Sequence, residues 1–257
     1  MIEIKNLYKT FNRLQVLNDL SLTIKDGETK VIIGRSGAGK SVLLKSIVGI
    51  LKPDAGSIKI NGVEVTGLGD KEYDNIRRDI GLVFQGGALF DSLNVAENVG
   101  FVLNEFTKLS SSVKRERVAH TLSLVGLKGI EEMMPSQLSG GMRKRVSLAR
   151  VLCMEPKILL YDEPTSEVDP ITADAINRLI VEMHDKLKVT SIVVTHDMNA
   201  AYKIADTIAM FYHGQVIADG TPDEIRNSRH PVVRQFVRGE STGPVTEDES
   251  LKFGHVK

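Results

Sequence analysis

The run Gly34-Arg-Ser-Gly-Ala-Gly-Lys40-Ser41 fits the spacing G-x-x-x-x-G-K-[ST]. Such a run can cradle phosphates only when a strand delivers it and a helix leaves it. Both flanks are in place: the apolar Val31-Ile-Ile33 comes before, and the helix-like Val42-Leu-Leu-Lys-Ser-Ile-Val48 comes after. The glycines let backbone N–H groups turn inward around phosphate oxygens, and the helix N-terminus adds positive potential. Lys40 can then reach the β- and γ-phosphates of a nucleotide, while the Ser41 hydroxyl can ligate Mg²⁺.

A second apolar run, Ile158-Leu-Leu-Tyr161, ends in Asp162 and Glu163. Asp162 is placed to hold Mg²⁺ through its water shell, and Glu163 to polarise an attacking water. Alone, this hexapeptide would pass for a solvated strand exit. Two further runs end in one polar group each: Gly81-Leu-Val-Phe84 delivers Gln85, and Ile192-Val-Val-Thr195 delivers His196. A lone glutamine or histidine after a strand is usually structural. In a parallel sheet, however, the carboxyl ends of the strands share one edge, the crevice where ligands bind. Four polar tips on one rim turn Gln85 and His196 into candidate sensors of a γ-phosphate or of water, with Gln85 also a candidate Mg²⁺ ligand. Leu138-Ser-Gly-Gly-Met142 opens the helical run from Arg143 to Cys153. There Ser139 is a good N-cap, and Gly140 and Gly141 leave N–H groups free for an anion, although a plain helix cap explains this pentapeptide as well.

The rest of the chain supports an α/β reading. Short apolar runs read as strands at Ile2–Ile4, Leu20–Ile24, Lys30–Ile33, Ile58–Ile60, Ile80–Phe84, Ile158–Tyr161, Ser191–Thr195, Thr207–Phe211 and Gln215–Ala218. Asn61-Gly62 and His213-Gly214 look like hairpin turns. Val118, Leu122 and Val125 follow a helical period, as do Ile176, Ile180 and Met183 in a helix entered through Asp169-Pro170. The early strands suggest a small antiparallel layer, and the later alternation of strands and helices a mostly parallel sheet. From about 92 to 156 only helical patterns remain, which reads as an inserted helical subdomain. From about Gly239 the chain turns polar and reads as an arm or tail, with Glu247-Asp-Glu-Ser250 solvated.

Composition closes off several alternatives. Thirty-three basic and 33 acidic side chains cancel, so no global field draws the chain to nucleic acid or an anionic bilayer. The basic clusters Lys114-Arg-Glu-Arg117 and Arg143-Lys-Arg145 read as solvated helix faces. Cys153 is the one cysteine, which rules out an internal disulfide, cannot build a zinc site, and reads as a packing residue in a reducing compartment. No stretch approaches the roughly 18 uninterrupted apolar residues of a spanning helix, and the start lacks the pattern of a cleaved signal. A cytosolic chain is expected.

In this order, the elements resemble the nucleotide-binding subunit of ATP-binding-cassette (ABC) transporters over residues 1 to about 228, leaving 229–257 as a C-terminal extension. The resemblance implies a P-loop NTPase core with an antiparallel β subdomain and an inserted helical subdomain. It matches Phe11 to the aromatic that stacks on adenine, and Gly34, Arg35, Ser36, Gly37, Ala38, Gly39, Lys40, Ser41 and Val42 to the Walker A segment. Gln85 matches the Q-loop, Ser139, Gly140 and Gly141 the signature, Asp162 and Glu163 Walker B, Asp169 the D-loop and His196 the switch histidine. Met142, Glu167 and Val168 depart from the commoner residues of the signature and D-loop, and Phe11 stands where tyrosine is commoner. The family works as a head-to-tail pair, so the resemblance implies a homodimer with ATP and Mg²⁺ in two sites, Ser139 reaching the nucleotide of the other copy. It also implies a membrane permease docked near Gln85, on the cytoplasmic side of the inner membrane.

The stretch Phe84-Gln-Gly-Gly-Ala-Leu-Phe90 to Asn98, the Met142 signature and the ending Val233 to Val245 look like those of bacterial Mla/Mce-type lipid-transport ATPases. In that group the extension reaches the other ATPase copy, and the partners are a permease, an Mce-type substrate-binding protein and a small STAS-domain protein. The alternatives are an amino-acid importer ATPase of the polar amino acid or methionine type, or a cassette protein acting on nucleic acid or ribosomes. The latter usually carries tandem cassettes or a long insertion, which this sequence does not have. No Asn-Lys-x-Asp motif supports a GTPase.

Overall fold

The computed structural model describes residues 1–246. Its strands fall into two kinds that the burial pattern separates. Strand β1 (Ile2–Phe11) and strand β2 (Leu14–Ile24) alternate. In β2, Leu20, Leu22 and Ile24 are buried while Ser21 and Thr23 face out. One face packs and the other meets water, as in an antiparallel layer. Strand β3 (Thr29–Ile33) is instead buried at every residue, as expected of a central parallel strand. Helix α1 (Lys40–Ile47) follows, then β4 (Ala55–Ile60), β5 (Val63–Glu64), α2 (Asp70–Arg77) and β6 (Ile80–Val83).

Between β6 and β7 the chain forms α3 (Val95–Phe106), α4 (Ser111–Leu124), a 3-10 turn at Pro135–Gln137 and α5 (Gly140–Leu152), with no strand. Strand β7 (Ile158–Asp162), helix α6 (Pro170–Leu187), β8 (Thr190–Val194), α7 (Met198–Ile204), β9 (Thr207–Tyr212) and β10 (Gln215–Gly220) come next. Helices α8 (Pro222–Arg226) and α9 (Pro231–Arg238) close the described chain. Among the described residues no helix is long and apolar enough to cross a membrane.

Two sheets result. The antiparallel one has the order β2-β1-β4-β5, and the larger one β10-β9-β3-β8-β7-β6, parallel except for the edge strand β10. The parallel sheet carries a core on each face, and alternate residues of its strands feed alternate cores. Ile32, Leu160, Val194 and Phe211 pack with α1 and the antiparallel sheet. Val31, Ile33, Leu159, Tyr161, Val193 and Met210 pack with the helices on the opposite face. The α/β architecture expected from the alternation of runs is therefore present, and Val118, Leu122, Val125, Ile176, Ile180 and Met183 are all buried.

Three features depart from the sequence reading. The first strands run far beyond Ile2–Ile4 and Leu20–Ile24, pairing as far as Phe11 with Leu14 across a tight turn at Asn12-Arg13 (φ 45° and 76°). Register shifts after Ile4, Leu7 and Lys9, with positive φ at Asn6 and Asp19, break the period of two and conceal the strands. Secondly, Lys144 is buried at 8% exposure, so Arg143-Lys-Arg145 is not a solvated face throughout; Arg143 alone of the three is exposed. Helix α5 packs against β6 and α6 among its neighbours, and the Lys144 ammonium reaches the Gln85 carbonyl and the Ser166 hydroxyl, away from water. Thirdly, residues 239–246 fold back instead of trailing away. Val245 joins the helical core with Ile225, Val232 and Val233, and its N–H donates to Gln235 Oε1 at 2.8 Å. The acidic stretch from Glu247 to Ser250 lies outside the described residues.

Candidate nucleotide site

Strands β3, β8, β7 and β6 are parallel neighbours in that lateral order. Ile32 pairs with Val194, Val194 with Asp162, and Tyr161 with Val83. Each strand thus ends at nearly the same level. The loop from Gly34, His196, Asp162 with Glu163, and Gln85 come off adjacent tips of one edge, the arrangement the four polar run-ends called for.

At the first tip, Lys40 opens helix α1 after Gly39, whose φ of 99° suits only glycine; a Cβ there would also lie 2.7 Å from Val16 O. This close approach seats the phosphate loop against β2, the strand that Phe11 leads into through its turn. Lys40 is 7% exposed, and its ammonium donates to Gly34 O (2.7 Å) and Arg35 O (2.9 Å). Burial lowers its pKa, and the charges of Glu163 and Asp162 oppose that shift. Ser36, Gly37 and Ala38 form the turn of the loop, closed by Ala38 N–H donating to Arg35 O at 3.2 Å, and Val42 lies in the first turn of α1.

The neighbouring tips are joined to this loop and to each other. Ser41 Oγ donates to Asp162 Oδ1 at 2.8 Å. Glu163 stands at φ 50°, a left-handed conformation rare for a residue with a Cβ, and is held there by its N–H donating to Val194 O at 3.0 Å. Its Oε2 lies 2.9 Å from His196 Nδ1. The glutamate side chain is mostly buried, at 13% exposure, whereas the histidine is 69% exposed. A carboxylate held under an open imidazole can accept a proton from water arriving at the rim. Gln85 is exposed on the loop after β6.

The other motif residues form a second group off this edge. Ser139 caps α5, accepting from Met142 N–H at 3.2 Å. Asp169 caps α6, accepting from Ile171 and Thr172 N–H at 3.0 Å each and from Thr172 Oγ1 at 2.6 Å. These bonds, the Thr172 hydroxyl first, hold its carboxyl below the usual range. The two helix starts nearly touch: a Cβ on Gly141 would fall 2.4 Å from Thr172 Cγ2, and one on Gly140 3.8 Å from Val168 Cγ1. Among the described residues no hydrogen bond links either cap to the phosphate loop. Phe11 is 38% exposed beside Lys9, whose ammonium lies 5.4 Å from the ring centroid. Lys144 and Ser166 were not among the expected site residues, yet both lie at the Glu163 tip: Ser166 Oγ donates to Glu163 O at 2.9 Å and lies 3.3 Å from Lys144 Nζ. Nothing in a run of three basic residues marks the middle one as buried.

The donor set fits a magnesium nucleotide. A hydroxyl and a carboxylate in contact, with an amide on the next tip, offer hard oxygen ligands and leave places for phosphate oxygens and water. Among the described residues no cluster of three or more His, Cys, Asp and Glu side chains could form an all-protein metal cage. The buried Lys40 ammonium, bonded to two backbone carbonyls, offers a cation that phosphate oxygens could take over.

A family model described as ABC transporter matches residues 17–166. The probable ribonucleotide transport ATP-binding protein mkl of Mycobacterium tuberculosis is 41% identical over 248 residues, covering 96% of this chain and 69% of that protein. The intermembrane phospholipid transport system ATP-binding protein MlaF of Haemophilus influenzae is 40% identical over 246 residues, 95% of this chain and 93% of that protein. The methionine import ATP-binding protein MetN of Carboxydothermus hydrogenoformans is 42% identical over 241 residues, 92% and 71% respectively. Among solved structures, a dimeric ATP-binding cassette in a post-hydrolysis state with ADP and Pi matches with a TM-score of 0.81 at 34% identity, covering 86% of this chain and 99% of that one. The chain belongs to the ABC transporter family, as one of its ATP-hydrolysing nucleotide-binding subunits.

Proposed function

We propose that this subunit drives phospholipid transport between two membranes through a separate permease, from the cytoplasmic face of the inner membrane. The observation that carries the lipid assignment is the 40% identity to MlaF, sustained over 93% of that protein. Partners of the same chemistry follow: a membrane permease, an Mce-type substrate-binding protein and a small STAS-domain protein. A groove of about 280 Å³ lined by Arg77, Phe84, Phe106 and Arg150 offers the permease an amphipathic seat. Arg150 also donates to Ala88 O and Gly87 O, so that seat is continuous with the segment after Gln85.

ATP lies on the loop from Gly34 to Ser41, with Lys40 on its β- and γ-phosphates and Phe11 against the base. Ser41, Gln85 and Asp162 would hold Mg²⁺, which supplies neutralisation of phosphate charge. Glu163 orients and polarises the attacking water, and His196, bonded to it, senses the γ-phosphate. Ser139, Gly140, Gly141 and Asp169 serve the nucleotide of a second, head-to-tail copy. Their place away from the loop in a single chain supports a homodimer in which each copy completes the other's site.

The MetN match supports a second reading, an amino-acid importer. Purifying the native complex through this chain and identifying its proteins and bound small molecules by mass spectrometry separates the two. Phospholipid with an Mce-type protein supports the first. A periplasmic amino-acid-binding protein, with turnover stimulated by methionine, would overturn it.

A further inference from the structure

Lys144 extends from the signature helix α5 into the space between the loops that follow β6 and β7. Its ammonium donates to the backbone carbonyl of Gln85 and lies 3.3 Å from Ser166 Oγ, and that hydroxyl donates onward to Glu163 O at 2.9 Å. One side chain therefore touches the segment that carries Gln85 and, through one hydroxyl, the backbone of Glu163. Among the described residues no carboxylate stands at ion-pair distance from this ammonium. Burial lowers its pKa, against the more distant charges of Glu167 and Glu163. A buried ammonium without a carboxylate partner is costly, and an apolar side chain of the same length would fill the space without that cost. What the lysine adds is N–H bonds that join these two loops to one helix. Gln85 is exposed and beyond the end of its strand, while Glu163 holds a left-handed backbone that its surroundings must over-determine.

We propose that Lys144 is a positioning residue for ATP hydrolysis, tying the helix that Ser139 opens to the backbones of Gln85 and, through Ser166, Glu163. Ser139 is five positions earlier on the same helix, roughly 7–8 Å along its axis. A displacement of α5 is then passed directly to the two groups that face the γ-phosphate. The assignment rests on the reading of Glu163 as the group that polarises water.

The test is steady-state ATP turnover by the native complex purified with Lys144→Met, Lys144→Arg, Ser166→Ala and the Lys144→Met/Ser166→Ala pair. Lys144→Met keeps length and burial but loses the donors; its kcat should fall roughly 10- to 100-fold with KM for ATP within about twofold. Lys144→Arg should recover at least about threefold over Lys144→Met, because it restores charge and donors. Ser166→Ala should cost roughly 3- to 10-fold in kcat, and the double variant should be no slower than Lys144→Met, since both changes cut one relay. Wild-type kcat in Lys144→Met, equal losses from Met and Arg, or multiplied losses in the double variant would each overturn the proposal. If Lys144→Met does not assemble, Ser166→Ala decides alone, and an unchanged kcat there overturns the relay. Glu163→Gln, run alongside, keeps the two claims apart. Normal turnover in Glu163→Gln sinks the reading of Glu163 itself. Its loss there, together with normal turnover in Lys144→Met, sinks only the role of Lys144.

Discussion

Lys40 and Cys153 are both buried and both shifted in pKa, yet they call for opposite chemistry. The Lys40 ammonium is held by two carbonyl oxygens that a phosphate can replace with full negative charge. Lys40→Ala removes that charge-assisted contact, and ATP affinity should fall roughly 10- to 100-fold by isothermal titration. Wild-type affinity would mean that the loop's N–H groups suffice. Cys153 is fully buried, and burial pushes its thiol up to about 11. At pH 8 only about one thiol in a thousand is ionised, so a disulfide reagent should react with it only after denaturation. Prompt reaction of the native protein would show that the core around it opens. The packing role of Cys153 was legible from the sequence because a lone cysteine among apolar helix positions has little else to do. The burial of Lys144 was not: a charged run looks the same whether its middle member faces water or another helix, and only the packing of α5 settles which.

Helices and central strands were readable because each repeats one local rule several times. Val118, Leu122 and Val125 lie on one helical face, and β3, β7 and β8 each carry an unbroken apolar run, Val31 to Ile33, Ile158 to Tyr161 and Ile192 to Val194. Strands β1 and β2 were half missed because bulges break their alternation, and a bulge is fixed by the partner strand. Asn98 shows how an element can be marked in sequence before its work is known. In the sequence it belongs to a stretch that resembles one transporter group. In the fold it is fully buried on α3 and organises the loop before that helix. Its Nδ2 protons are shared among Phe90 O (3.0 Å), Leu93 O (2.8 Å) and Asn94 O (3.0 Å), while its Oδ1 accepts from Phe90 N–H at 2.8 Å. Asn98→Ala leaves Phe90 N–H and Leu93 O without this partner and should destabilise the chain by about 2–4 kcal/mol, read as a lower urea midpoint at unchanged slope. A change under about 0.5 kcal/mol would mean that water replaces all four bonds.

The parallel sheet separates two cores and leaves one polar edge, and the motif residues divide between that edge and the start of the helical face. Gln85, Asp162, Glu163, His196 and the phosphate loop come together within one chain. Ser139 and Asp169 do not join them, although all were legible as motifs. Local sequence specifies a cap or a strand tip, but which copy's phosphate a cap serves is a property of assembly. On the proposed reading ATP is the ligand that both halves contact, so pairing should depend on nucleotide. Glu163→Gln keeps the shape of the side chain and can still donate or accept a bond at His196, but it lacks the negative charge by which, on the proposed reading, Glu163 polarises water. With Mg-ATP this variant should accumulate as a dimer by light scattering, hydrolysing on the order of 100-fold more slowly than the wild type, and return to monomer when ADP replaces ATP. Near-normal turnover would assign the proton transfer to another group. A variant that hydrolyses poorly yet stays monomeric in Mg-ATP would place Ser139 and Asp169 outside the nucleotide site, and the argument from their separation would fail with it.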